Sequence, residues 1–408
     1  MKRYETYKDS GIQWWEEIPT HWDLKKAKHI FSLVTENVSD SSLPKIALEN
    51  IESWTGKYIE TDSDFMGEGV EFKKDDILFG KLRPYLAKVY KAEFAGQAVG
   101  DIYVFRGNEE QNPEYLKYLL LSYPFISVVD GSTYGAKMPR ANWDFISHLV
   151  LPCPPKTEQV TIAAFLDHKV GQIDATIAEK EQMLEDLKAY RSAIISEAVT
   201  KGLDKNVEMK DSGIDKFPMI RSNWNTSKLK YIASIRSGSA LPINNIKKDA
   251  LYEVYGGNGC MGRADEYNTE SPAIIIGRVG ALCGNVHLIK TKKWVTDNAL
   301  ILNIKRDVTY EYLYYYLTAY DLNTLNSSNA QPLITGTKVL DVVTPMPSLN
   351  EQIMIANYLD DKTSMIDETI DQITVQIVEL KSYKSSLITE AVTGKIDLRD
   401  WKPKKENV

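Results

Sequence analysis

Four short segments of this chain carry residue types that suit contact with nucleic acid. Lys81, Arg83, Tyr85 and Lys88 lie in Lys81-Leu82-Arg83-Pro84-Tyr85-Leu86-Ala87-Lys88, directly after the apolar run Asp76-Ile77-Leu78-Phe79-Gly80. Cations on a strand-end loop can reach phosphate oxygens or the acceptor edge of a base. Gly277-Arg278-Val279-Gly280 follows the run Ala273-Ile274-Ile275-Ile276 at the equivalent place. The other two segments are Gly131 to Arg140, with Tyr134, Lys137 and Arg140, and Thr335-Gly336-Thr337-Lys338. Their glycines permit close backbone approach, and their hydroxyls and cations suit phosphate oxygens. All four also fit solvated loops; their occurrence in pairs favours contact for the first two, and both readings stay open for the others.

Residues for catalysis are missing. An adenine methyltransferase needs an Asn/Asp-Pro-Pro-aromatic motif, but Pro154-Pro155 sits between Cys153 and Lys156. No Pro-Asp dipeptide accompanies Glu71-x-Lys73 to make a nuclease centre, and no P-loop lysine motif is present. The five histidines lack metal-ligand spacing, and Cys153, Cys260 and Cys283 form no CxxC pair. We therefore expect a non-catalytic chain without metal or cofactor. The first residues contain no apolar signal core, and no run approaches the roughly 20 residues of a membrane span, so a cytoplasmic location is expected.

The charge balance, 49 Lys+Arg against 56 Asp+Glu for a net −7, does not by itself announce a nucleic-acid binder. Residues 225–343 hold 13 cations against 10 acids, whereas residues 23–150 hold 15 against 19. Any attraction to DNA must come from local patches. With 408 residues, 43% hydrophobic, the chain can bury two ordinary cores.

What positions the candidate loops is a duplication. Lys8-Asp9-Ser10-Gly11-Ile12, then Ile18, Trp22, Lys26, Lys28 and Ile30, recur 202 residues later as Lys210-Asp211-Ser212-Gly213-Ile214, Ile220, Trp224, Lys228, Lys230 and Ile232. Pro152-x-Pro154-x3-Glu158-Gln159-x2-Ile162-Ala163-x2-Leu166-Asp167 recurs 193 residues later, from Pro345 through Glu351-Gln352 to Leu359-Asp360. That match continues to Glu197-Ala198-Val199-Thr200 and Glu390-Ala391-Val392-Thr393. Residues 31–150 and 233–343, between the matched stretches, show little likeness. The scaffold is duplicated and what it carries is not.

After each Pro-x-Pro comes a heptad seam. Leu166, Val170, Ile173, Ile177, Leu184, Leu187, Ile194 and Ala198 alternate steps of four and three, with Lys180 and Arg191 filling slots. Leu359, Ile366, Ile370, Ile373, Ile377, Leu380, Leu387 and Ala391 do the same, with Thr363 and Lys384 in the gaps. Each stripe needs a partner, and the other copy supplies it. We expect an antiparallel intramolecular coiled coil with pseudo-two-fold symmetry, its first helix over residues 168–200 and about 50 Å long. Helix is also expected over Pro113–Val129 and Tyr310–Leu317, among short strands. The fold class is α+β. Two α/β domains, 1–150 and 205–343, are separated by helical spacers, 151–204 and 344–408.

This combination of duplicated motifs closely resembles the specificity subunit of type I restriction-modification enzymes, over nearly the whole chain. The resemblance implies that each variable domain is a target-recognition domain for one half of a bipartite, asymmetric site in double-stranded DNA, with the helices setting the gap. It implies two modification subunits that methylate adenine with S-adenosylmethionine, and restriction subunits that use ATP and Mg. The repeated helix ends would dock these partners through Glu158, Gln159, Glu351 and Gln352, with Arg191 and Lys384 as matched cations. The alternatives are a two-module DNA-binding scaffold unrelated to restriction and a self-contained DNA enzyme.

Overall fold

The computed structural model describes residues 2–38, 43–61, 65, 68–133, 138–204, 206–280, 282–326 and 332–403. The heptad seams fold as two long helices, Lys156–Lys201 and Leu349–Val392. The first starts 12 residues before the expected 168, immediately after Pro154-Pro155. A residue preceding proline is held extended, so the proline pair marks the boundary more sharply than the apolar periodicity does. Two compact units result: Met1–Glu181 with Val375–Val408, and Gln182–Thr374.

In the first unit the two helix segments run antiparallel. Lys384 Nζ lies 2.8 Å from Asp174 Oδ1, and Lys180 Nζ donates to Gln376 Oε1 at 2.7 Å. Leu166, Val170, Ile173 and Ile177 are buried, as are Leu387, Ile388 and Ala391. In the second unit Ile194, Ala198, Leu359 and Ile366 share one core cluster, with Leu187 and Ile370 against it. Arg191 Nε meets Asp367 Oδ1 there at 2.8 Å. Two of the three cations interrupting the seams, Arg191 and Lys384, are thus paired with acids of the facing segment, and Lys180 with an amide. Because Asp367 is half exposed, Arg191→Ala is expected to cost no more than about 1 kcal/mol in urea denaturation.

The variable domains share a sheet that their sequences do not advertise. In the first unit its order is Phe31–Val34, Ile102–Gly107, Ile77–Gly80, Val89–Lys91, antiparallel throughout. In the second it is Ala233–Ser237, Ala299–Ile304, Ala273–Gly277, Val286–Ile289, likewise antiparallel. Ile77–Gly80 and Ala273–Gly277 are buried along their whole length, which is why each reads as an unbroken apolar run. The helix expected over Pro113–Val129 is two helices, Pro113–Leu121 and Tyr123–Gly131. Ser122 between them is extended, because Pro124 can enter only the first turn of a new helix. Its counterpart Tyr310–Tyr320 is unbroken and longer than expected.

The repeated motifs are the joints between each domain and its helices. Glu158 accepts from Trp22 Nε1 at 2.8 Å and Tyr4 Oη at 3.0 Å, with His21 Nε2 at 2.6 Å. Glu351 meets Trp224 Nε1 and Arg221 at 3.5 Å. Gln159 accepts from Asn112 N and donates to Pro154 O; Gln352 accepts from Thr309 N and donates to Pro347 O. Tyr115 Oη faces the Pro152 and Val392 carbonyls, as Tyr312 Oη faces those of Pro345 and Val199. Burial holds both phenols well above their ordinary pKa, so they stay donors. Among the described residues no helix is long and apolar enough to cross a membrane.

Candidate nucleic-acid interface

In each unit the two candidate segments, far apart in sequence, are brought side by side. In the first, Leu82 and Arg140 form an antiparallel bridge. Around it Arg83 N donates to Pro139 O at 2.8 Å, Ala141 N to Lys81 O at 2.7 Å and Lys81 N to Asp101 O at 2.9 Å. In the second, Val279 and Leu333 form the bridge. Gly280 N donates to Pro332 O at 3.1 Å, Ile334 N to Arg278 O at 3.0 Å and Arg278 N to Asn298 O at 3.0 Å. These are the same main-chain bonds made twice, with different side chains mounted on them.

Arg83 occupies the tightest position of this frame. Its φ of 53° is left-handed, where the second unit has Gly280 at 85°. A non-glycine side chain there costs of order 1–2 kcal/mol, and such strain is held where surrounding bonds over-determine it. The Arg83 side chain is exposed, and none of the hydrogen bonds or ion pairs among the described residues uses it. Tyr85, in the turn Pro84–Leu86, is half exposed, and its carbonyl accepts from Trp54 Nε1 at 3.1 Å.

The remaining cations divide. Lys81 Nζ lies 3.8 Å from Asp101 and over the Tyr103 ring, and Arg140 makes a two-pronged contact with Asp101. Lys88 points inward, donating to the Leu48 and Ile51 carbonyls at 2.6 and 2.8 Å, and burial lowers its pKa. It holds a loop rather than facing outward. Arg278 reaches Ser237 Oγ at 3.3 Å with one end, while its buried Nε has no hydrogen-bond partner among the described residues. Thr335 caps the short helix Gly336–Leu340 by accepting from Lys338 N, Thr337 is exposed on that helix, and Lys338 Nζ donates to Leu325 O at 2.8 Å. A Cβ on Gly336 would come within 2.8 Å of Ile235, so this glycine serves helix-to-strand packing. Tyr134 and Lys137 lie outside the described residues.

The six residues taken for partner contacts all have internal partners. Glu158, Gln159, Glu351 and Gln352 are built into the joints, and Arg191 and Lys384 pair with Asp367 and Asp174. Sequence reading passed over Asp101 and Asn298. Each directly precedes the apolar run of a central strand, and that shared placement was the available signal.

The sequence pattern of the Type I restriction modification DNA specificity domain matches residues 29–188 and again 221–379. The type I restriction enzyme EcoprrI specificity subunit of Escherichia coli is 32% identical over 162 residues, 39% of this chain and 38% of that protein. The EcoDI specificity subunit of the same species is 25% identical over 44% of each chain. The chain thus spans less than half the length of these two relatives. A putative MjaX specificity subunit of Methanocaldococcus jannaschii is 22% identical over 96% of this chain and 98% of its own. Among solved structures, a chain from a study of type I R-M assembly and conformational transition shares the fold with a TM-score of 0.72. It is 16% identical and covers 93% of this chain and 99% of its own. The HsdS subunit of Thermoanaerobacter tengcongensis matches with a TM-score of 0.51, at 17% identity over 93% and 98% of the two chains.

Proposed function

Because the chain belongs to the type I restriction-modification DNA specificity family, we propose that it is the address-reading subunit of such a complex, each variable domain reading one half of a bipartite, asymmetric DNA site. The observation that carries this reading is the main-chain frame at Lys81–Arg83 and Arg278–Gly280, built twice with unlike side chains. One frame presenting two sets of groups suits two different half-sites. Residues 1–150 and 205–343 form the readers. Residues 151–204 and 344–408 form an antiparallel coiled coil with pseudo-two-fold symmetry that fixes the gap.

In this reading the chain contributes no catalytic group, metal or cofactor, and works in the cytoplasm. Two modification subunits dock against the duplicated helical parts, because two equal partners need two equivalent surfaces. They supply S-adenosylmethionine-dependent adenine methylation, and restriction subunits supply ATP- and Mg-dependent translocation and cleavage. Methylation requires the target adenine to leave the stack, so the readers grip flanking bases and backbone. Partners also supply basic surface that this chain, at −7, lacks.

The test is to co-express the chain with the methyltransferase gene nearest to its own and map adenine methylation genome-wide by single-molecule sequencing. A bipartite motif with a fixed gap is expected; a short continuous motif, or none, would refute the reading. At the residue level, Arg83→Gly and Arg278→Ala are each expected to weaken duplex binding at fixed salt by about 1–3 kcal/mol. Because glycine relieves the left-handed position, Arg83→Gly is expected to leave thermal stability unchanged or raised. Unchanged dissociation constants for both variants would remove these arginines from the interface.

A further inference from the structure

We propose that Asp101 is a positioning residue that sets Arg140 to read a guanine in the half-site contacted by the first unit; the inference rests on the DNA-reading function proposed above. Arg140 Nε donates to Asp101 Oδ1 at 3.1 Å and Nη2 to Oδ2 at 3.0 Å. These bonds use one edge of the planar guanidinium. The opposite end, Nη1 with the outer N–H of Nη2, keeps two parallel donors. That fork matches the O6 and N7 acceptors that guanine shows in the major groove. Adenine sets a donor beside its N7 acceptor, so one prong would face another N–H.

Exposure is graded in the sense that reading a base needs. The Arg140 side chain is 51% exposed and that of Asp101 only 23%, so the acid is the sheltered anchor and the guanidinium the outward group. Asp101 is itself fixed, since its carbonyl accepts from Lys81 N and its carboxylate attracts Lys81 Nζ at 3.8 Å. A free arginine would lose much rotamer freedom on meeting a base; a planar fork already held by a carboxylate loses less.

The second unit shows that the turn does not require an acid. Asn298 makes the same main-chain bond to Arg278 N that Asp101 makes to Lys81 N, and Leu333 stands where Arg140 does. The carboxylate occurs in the unit that has an arginine opposite it. Where leucine takes the arginine's place, the acid gives way to a neutral amide. The acid therefore serves the arginine rather than the fold.

The experiment uses the whole chain co-expressed with its methyltransferase partner, comparing methylation motifs of the parent with Asp101→Asn and Arg140→Lys. The lysine variant keeps the charge but not the fork, and it perturbs only an exposed side chain. The parent motif is expected to contain a G·C pair at which both variants lose tenfold or more of their discrimination, with the other half-site and the gap unchanged. A merely structural role for Asp101 would lower methylation at every site alike and leave the motif as it was. A bipartite parent motif that both variants retain in full, or in which they relax different positions, overturns the inference alone. A parent without a bipartite motif overturns the functional reading and this inference with it.

Discussion

Trp22→Ala is expected to lower the stability of the first unit by about 3–5 kcal/mol, the range for removing a large buried aromatic. The ring is completely buried, packs against Tyr4 and lies where a Cβ on Gly394 would touch it at 3.2 Å. Its indole N–H also satisfies Glu158, so the variant combines a cavity with a weakened buried carboxylate joint. Trp224→Ala opens a similar cavity in the second unit but breaks a longer contact, 3.5 Å to Glu351, and is expected to fall at the lower end of the same range. Urea denaturation combined with hydrogen exchange resolved by segment would assign each loss to its unit. A loss below about 1 kcal/mol for Trp22→Ala would show that this joint does not hold the first unit together.

Lys384→Met should produce the second largest effect, about 2–4 kcal/mol, because it leaves Asp174 sheltered with only the exposed Lys57 as counter-charge. Burial alone pushes the Asp174 carboxyl upward. The hydrogen bonds and charges of Lys384 and Lys57 more than reverse that and hold it below the usual carboxylate range. A depressed folded pKa stabilises the fold above the unfolded carboxyl value of about 3.9, and this contribution is lost as pH falls through the folded value. The gap between parent and Lys384→Met should therefore be full at pH 7 and close as pH falls below about 4 through the lowered folded value. A gap independent of pH would mean that the lysine stem, not its charge, does the holding.

The long helices and their antiparallel segments were legible because the heptad stripe and its repetition are side-chain patterns, as at Leu166, Val170 and Ile173. The proline pair fixed the true start of the first helix, yet periodicity drew attention to 168. The kinship of the two variable domains was legible only in part, at the strand-end basic loops set at equivalent places and at the helices near Pro113 and Tyr310. The sheet order and the match of Asp101 with Asn298 were not, because they rest on hydrogen bonds of the main chain, which leave no signature in residue type. The same blindness affected the candidate site. Arg83 and Arg278 were singled out by their types alone, and nothing in sequence separated the inward Lys88 from the exposed Arg83. Glu158 and Gln159 repeat because they close the joint with Trp22 and Asn112, so repetition there reports assembly of the chain itself.

The doubled main-chain frame also bears on how such a protein changes over generations. Bonds between backbone amides and carbonyls ask almost nothing of the side chains they carry. Arginine is tolerated at residue 83 where glycine stands at 280, and aspartate at 101 where asparagine stands at 298. Substitutions at these positions put different groups on an unaltered support, so selection can explore new surface chemistry by single steps without first risking collapse of the lineage. The two variable domains of one gene are two side-chain sets preserved side by side on that one support.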